Sequence, residues 1–188
     1  MAVLPAGVVV LDVGVLKHGL GETSITELAQ ETTLLAVTVG FLLYAWRHPW
    51  ARGFSVLVAG AMGCMLIREL DAWLDWVWHG FWFWPALCTA VGTVWYVWRR
   101  ERGTVMTPLK AFVGTAGYYW MLFGLMVVFV FSQVFGSGNV VWKLVLAGGY
   151  SHLMKTALQE GLELFGYLLV GVGSLLFLRS ERPAPQRA

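Results

Sequence analysis

The chain has 188 residues, of which 58% are hydrophobic and 13% charged, and its mean hydropathy is +0.67. A soluble domain carries about 25% charged residues, so this composition, with 15% aromatics, excludes an ordinary water-soluble fold and makes lipid the main solvent. The net charge of +2 says little until the charges are placed along the chain.

A membrane span needs about 20 apolar residues, and runs of that kind recur. The first 25 residues are different. The apolar stretch 3–16 is short, contains Asp12 and lacks the basic start of a signal peptide. It reads as an extracytoplasmic interfacial or re-entrant segment, with Gly19 and Gly21 as a hinge. Five spans follow at about 26–46, 53–78, 81–98, 111–135 and 155–178. Residues 136–154, with a Gly-Ser-Gly-Asn turn, read as an outer interfacial segment, and 179–188 as a cytoplasmic tail with Pro183 and Pro185. The expected fold is an all-α membrane protein, a five-transmembrane-helix bundle. Cys64 and Cys88 fall inside apolar runs and read as packing residues rather than a disulfide.

Basic residues are retained on the cytoplasmic side. Arg47 and Arg52 lie between the first two spans, Arg99, Arg100, Arg102 and Lys110 between the third and fourth, and Arg179, Arg182 and Arg187 after the fifth. These nine of the 13 basic residues share one side with only Glu101 and Glu181 of the 11 acidic ones. The N-terminus is therefore expected outside, the C-terminus in the cytoplasm, and the protein in the bacterial inner membrane as a multi-pass chain. Topology accounts for the basic loops, so membrane lipids are expected partners and nucleic acid is not. Tryptophans cluster near both expected interfaces, as aromatic belts do. Ala59, Gly60 and Gly63, and Gly166, Gly171 and Gly173, would let helices approach closely.

The acidic residues gather in the outer half. Counted inward at about 1.5 Å per residue, Glu31, Arg68 and Glu163 share one depth; Glu69 lies close by, with Glu27, Asp71 and Glu160 a turn further out. Asp75, His79, Lys155 and His152 form the top layer. Glu27 and Glu31 share a helix face, as do Arg68, Asp75 and His79, and as do Gln159, Glu160 and Glu163. Charges facing mid-bilayer lipid cost about 2.5–3.5 kcal/mol each, so the three polar stripes are expected to face one another. Glu27, Glu31, Glu69, Asp71, Asp75, Glu160 and Glu163 would bind a cation or proton, with Arg68 and Lys155 as counter-charges. Carboxylates with an occasional His suit a hard or borderline divalent cation, and Glu31, Glu163, His79 and His152 are the candidate metal ligands. No His-x-x-x-His, Cys-x-x-Cys, Gly-x-Ser-x-Gly or P-loop pattern occurs.

The segments 68–75 (RELDAWLD), 131–137 (FSQVFGS) and 160–167 (EGLELFGY) resemble signatures of an uncharacterised family of small bacterial polytopic inner-membrane proteins, and the resemblance implies no activity. The Trp/Pro-rich porphyrin motifs of the tryptophan-rich sensory proteins and the zinc-binding histidine spacing of the ceramidase-like hydrolases are absent. The leading expectation is a small transporter, channel subunit or sensor with an acidic site. The alternatives are an accessory or assembly subunit of a larger membrane complex, with the polar layer as a structural inter-helix charge clamp, and a metal-dependent enzyme acting on a lipid-linked substrate. A homo-oligomer or a larger membrane complex is the expected assembly.

Overall fold

The computed structural model describes residues 3–12, 24–137, 142 and 151–179. Among them the chain is helical, with no strand. The helices are α1 (Val3–Val10), α2 (Ile25–Arg47), α3 (Arg52–Glu69), α4 (Asp71–Leu74), α5 (Phe83–Tyr96), α6 (Met106–Phe112), α7 (Ala116–Met126), α8 (Gln133–Gly136) and α9 (His152–Leu178). A 3-10 turn, Pro49–Ala51, leads into α3; a π turn, Val97–Glu101, continues α5, and another, Val127–Ser132, joins α7 to α8. Four stretches are long and apolar enough to cross a membrane: Ile25–Arg47, Pro49–Glu69, Ala116–Gly136 and His152–Leu178.

The second expected span differs most from the structure. It was expected to reach residue 78, but α3 ends at Glu69, because Leu70 leaves the helical region (φ −83°, ψ 16°) and a separate turn, α4, follows. The tryptophan-rich stretch beyond is a chain of turns, closed at Gly80, whose φ of 82° favours a residue without a side chain. The expected third span is the 14-residue α5 with its π turn. The expected fourth begins later, because Gly114 (φ 88°) separates α6 from α7. Most of the expected interfacial segment 136–154, the Gly19–Gly21 hinge and all but Arg179 of the tail lie outside the described residues.

The chain divides into two compact units. The first takes in Met1–Thr33 and Leu122–Val170, the second Leu34–Met121 and Gly171–Ala188.

In the second unit Phe177 stacks against four rings, with centroids 5.6 Å from Phe41, 5.4 Å from Tyr44, 5.2 Å from Phe54 and 5.0 Å from Phe112. α3 and α5 meet where Gly60 faces Thr93: a Cβ on Gly60 would stand 2.5 Å from Thr93 Cγ2. At one end of this unit Arg52 donates to Ala45 O (3.2 Å) and pairs with Glu101 (3.3 Å), while the Gly53 amide donates to Thr104 Oγ1 (2.8 Å). Both cysteines are free thiols; Cys64 Sγ donates to Ala86 O (3.3 Å), whereas Cys88, expected to be buried, is exposed.

In the first unit Gly124 and Gly166 stand face to face. A Cβ on Gly166 would come within 2.8 Å of Gly124 O, and one on Gly124 within 2.6 Å of Gly166 O. The start of α2 is completed from a distance. A helix leaves its first amides without internal partners. The Ser24 hydroxyl accepts from Glu27 N (3.1 Å) at capping-box spacing. Asp12, 1% exposed, accepts from Ile25 N (3.0 Å), Thr26 N (2.9 Å) and Thr26 Oγ1 (2.5 Å). Burial pushes the Asp12 carboxyl up, but the Thr26 hydroxyl and the two amides outweigh it and hold the group below the ordinary carboxylate range. A folded-state pKa below the unfolded value stabilises fully above about pH 4 and is lost as pH falls through the lowered value. Asp12→Asn should therefore flatten the acid limb of the unfolding curve in detergent. Asp12→Ala should cost about 1–2 kcal/mol near neutrality.

Candidate functional site

Eight polar side chains are buried among the described residues, and six of them, Asp12, Ser24, Thr26, Gln30, Ser132 and Glu163, belong to the first unit. Hydrogen bonds organise this interior. Gln30 on α2, fully buried, donates through Nε2 to Glu160 O and to Glu160 Oε2 on α9, both at 3.1 Å. These two acceptors fix the amide's orientation and turn its Oε1 away from them. That oxygen is buried and meets no hydrogen-bond donor among the described residues. One turn along α9, Gln159 Nε2 donates to Glu163 Oε1 (3.3 Å), and Glu163 is 3% exposed. The result is two carboxyl–carboxamide pairs.

The same unit carries Glu27 in the first turn of α2 and Glu31 a turn later, both half-buried. Its described residues hold five carboxylates, namely Asp12, Glu27, Glu31, Glu160 and Glu163, against one lysine, Lys155, which is half-buried near the start of α9. His152, at the first position of α9, is exposed; its Nδ1 lies 3.4 Å from Thr156 Oγ1.

The remaining candidates belong to the second unit. Arg68 Nη1 pairs with Glu69 Oε1 at 2.5 Å where α3 ends. Asp71 is exposed at the head of α4. Asp75 accepts from the Gly80 amide (2.8 Å) and lies 2.7 Å from His79 Nδ1, so this pair clasps the turn at Gly80. The Gly80 amide, foremost, together with His79 outweighs the opposing effect of burial and holds the Asp75 carboxyl below its ordinary range. Glu31 and Glu163 on the one hand and Arg68 on the other thus belong to different units, each with hydrogen-bonded pairs of its own. No group of three or more His, Cys, Asp and Glu side chains stands ready for a metal ion among the described residues.

Two members of the polar interior lie outside the candidate residues read from the sequence. Gln30 lies on the Glu27–Glu31 face at i, i+3 spacing, so the helical period points to it once uncharged amides are counted. Asp12 reaches α2 across 13 residues, and no sequence period reveals such a cap.

Comparison of the chain with protein-family models, with curated proteins and with solved structures found no match.

Proposed function

We propose that this is a multi-pass membrane protein that takes up a proton or a small hard cation at the carboxyl–carboxamide cluster of its first unit. The reading keeps five spans in a bacterial inner membrane, with the N-terminus outside. Four are the long apolar helices, and the fifth is α5 with its π turn. Together Phe83–Tyr96 and Val97–Glu101 give about 28 Å at 1.5 Å per residue, close to the thickness of a hydrocarbon core.

The observation that carries the proposal is Glu163, buried in a 27-residue apolar helix beside Gln159. Ionisable groups inside spans mark ion and proton pathways more often than they serve packing alone. Gln30 Oε1 supports it chemically. A buried amide oxygen that meets no donor can accept from a protonated carboxyl or ligate a hard cation. Glu160 accepts from the same amide, and Glu27 and Glu31 flank Gln30 along α2.

The test uses purified protein in liposomes with an interior pH dye, under an imposed proton, sodium or potassium gradient. Wild type should dissipate one of these gradients. Glu163→Gln keeps the shape of the side chain and removes its charge, and it should slow that flux at least about tenfold, as expected when a group that carries the proton is removed. Glu31→Gln should slow it less. Unchanged flux in both variants would refute the reading.

A further inference from the structure

The outer face of α5 pairs an apolar stripe with a basic end. Leu87, Val91, Val94, Trp95 and Trp98 recur at helical spacing on one side, and all are exposed, Trp95 at 62% and Trp98 at 61%. Only Ala86 of α5 is buried. At the end of the stripe come Arg99, Arg100 and Arg102, all exposed. The Arg99 guanidinium lies 5.9 Å from the Trp95 ring centre, and that of Arg102 4.7 Å from Trp98. Stacking on indole holds a guanidinium in place while its edge N–H groups stay available.

The local carboxylate does not oppose them. Glu101 directs Oε1 to Arg52 (3.3 Å) and accepts from the Thr104 hydroxyl at Oε2 (3.1 Å), and its side chain is only 13% exposed. The same end of this unit carries Arg47, exposed two residues beyond the Ala45 carbonyl that Arg52 grips. The surface is thus cationic at its tip and apolar along about 17 Å of helix, from Leu87 to Trp98 at 1.5 Å per residue.

We propose that an anionic phospholipid docks on this face. Its phosphate sits on Arg99 and Arg102, and an acyl chain lies along Val91, Val94 and the two tryptophans. The charge fixes the headgroup class, because guanidinium forks match phosphate oxygens and gain nothing from a zwitterion's ammonium. The length of the stripe suits an acyl chain. The inference rests on the reading of α5 as a span and is independent of ion uptake at Glu163.

Native mass spectrometry of the full chain, released from detergent with phosphatidylglycerol or phosphatidylethanolamine, tests it. Wild type should retain the anionic lipid preferentially. Each basic side chain near a charged lipid surface is worth about fivefold in affinity, so Arg99→Gln with Arg102→Gln should cut that retention about 25-fold and lower that of phosphatidylethanolamine far less. Arg99→Lys with Arg102→Lys keeps the charge without the planar fork and should fall between. Equal retention of both lipids by wild type, or an unchanged preference in the glutamine variant, would overturn the proposal. So would loss of a second copy or of a co-purifying protein in that variant, since the face would then be a protein interface. Cys88, exposed on α5, separates this failure from failure of the span. In a Cys64→Ser background in vesicles, rapid reaction with a membrane-impermeant maleimide would show that α5 is not in the bilayer and overturn both readings. A shielded Cys88 without lipid preference would overturn this one alone.

Discussion

Replacing Phe177 with alanine should destabilise the protein by about 3–5 kcal/mol, the largest loss expected from any single truncation in the second unit. Phe177 is 5% exposed and touches four rings, Phe41, Tyr44, Phe54 and Phe112, which come from three further helices. Aromatic pairs contribute about 0.5–1.5 kcal/mol each beyond the area they bury. Deleting the shared ring breaks all four and leaves a void that the others cannot fill without leaving their rotamers. Phe177→Leu should retain about half of the stability lost in alanine. Leu176→Ala, next in sequence but exposed, should cost about 0.5 kcal/mol or less. Unfolding by heat or by SDS titration from a mild detergent, followed by tryptophan fluorescence, reads all three. Equal losses at 176 and 177 would show that the aromatic cluster does not hold this unit.

Gly166→Leu should be comparably severe in the first unit, for the opposite reason. A Cβ there would stand 2.5 Å from Val128 Cγ2, 2.8 Å from Gly124 O and 3.2 Å from Val128 N. Two of those atoms are backbone and cannot rotate aside, so the helices must separate. Overpacking of this kind costs at least about 3 kcal/mol when backbone must move. In lipid, where helix association depends on close packing, nothing else replaces the lost contact. Gly124→Leu should do the same, since its Cβ would meet Gly166 O and Val170 N from the other side. Gly92→Ala is the control. Nothing lies within 4 Å of its Cβ position, so the change should be neutral or stabilise by up to about 1 kcal/mol through helix propensity. The same unfolding assay applies, and a Gly166→Leu protein as stable as Gly92→Ala would contradict the close crossing.

How much of this was legible beforehand varies along the chain. α2 runs from Ile25 to Arg47 against an expected 26–46, because an apolar window there is bracketed by Ser24 and Glu27 at one end and by His48 and Pro49 at the other. α9 extends three residues before its expected start, to His152, where the Ser151 hydroxyl accepts from Met154 N. The end of α3 was hidden, since Leu70 gives no breaker signal and the tryptophans that follow count as apolar although they serve turns. Asp75 and His79, which a continuous helix would carry onto the face of Arg68, belong instead to the turn at Gly80.

The site divides in the same way. Glu160 and Glu163 stand out in the sequence as charges in an apolar helix, whereas Gln30, an uncharged amide, does not. Neighbouring positions on a helix diverge by about 100°, yet Arg68 and Glu69, the last two residues of α3, pair at 2.5 Å. The π turn Val127–Ser132 adds a further shift of phase, after which Ser132 is buried and Gln133 exposed. A wheel drawn at constant pitch cannot anticipate such a shift.

The Asp12 cap has a consequence for assembly. The first turn of α2 is finished by chain synthesised before it, so α2 enters its folded environment with its N-terminal partner already made. A chain begun at residue 13 would present those amides uncapped at the moment of insertion. Its penalty would fall on the yield of correctly inserted protein as well as on the stability of what survives.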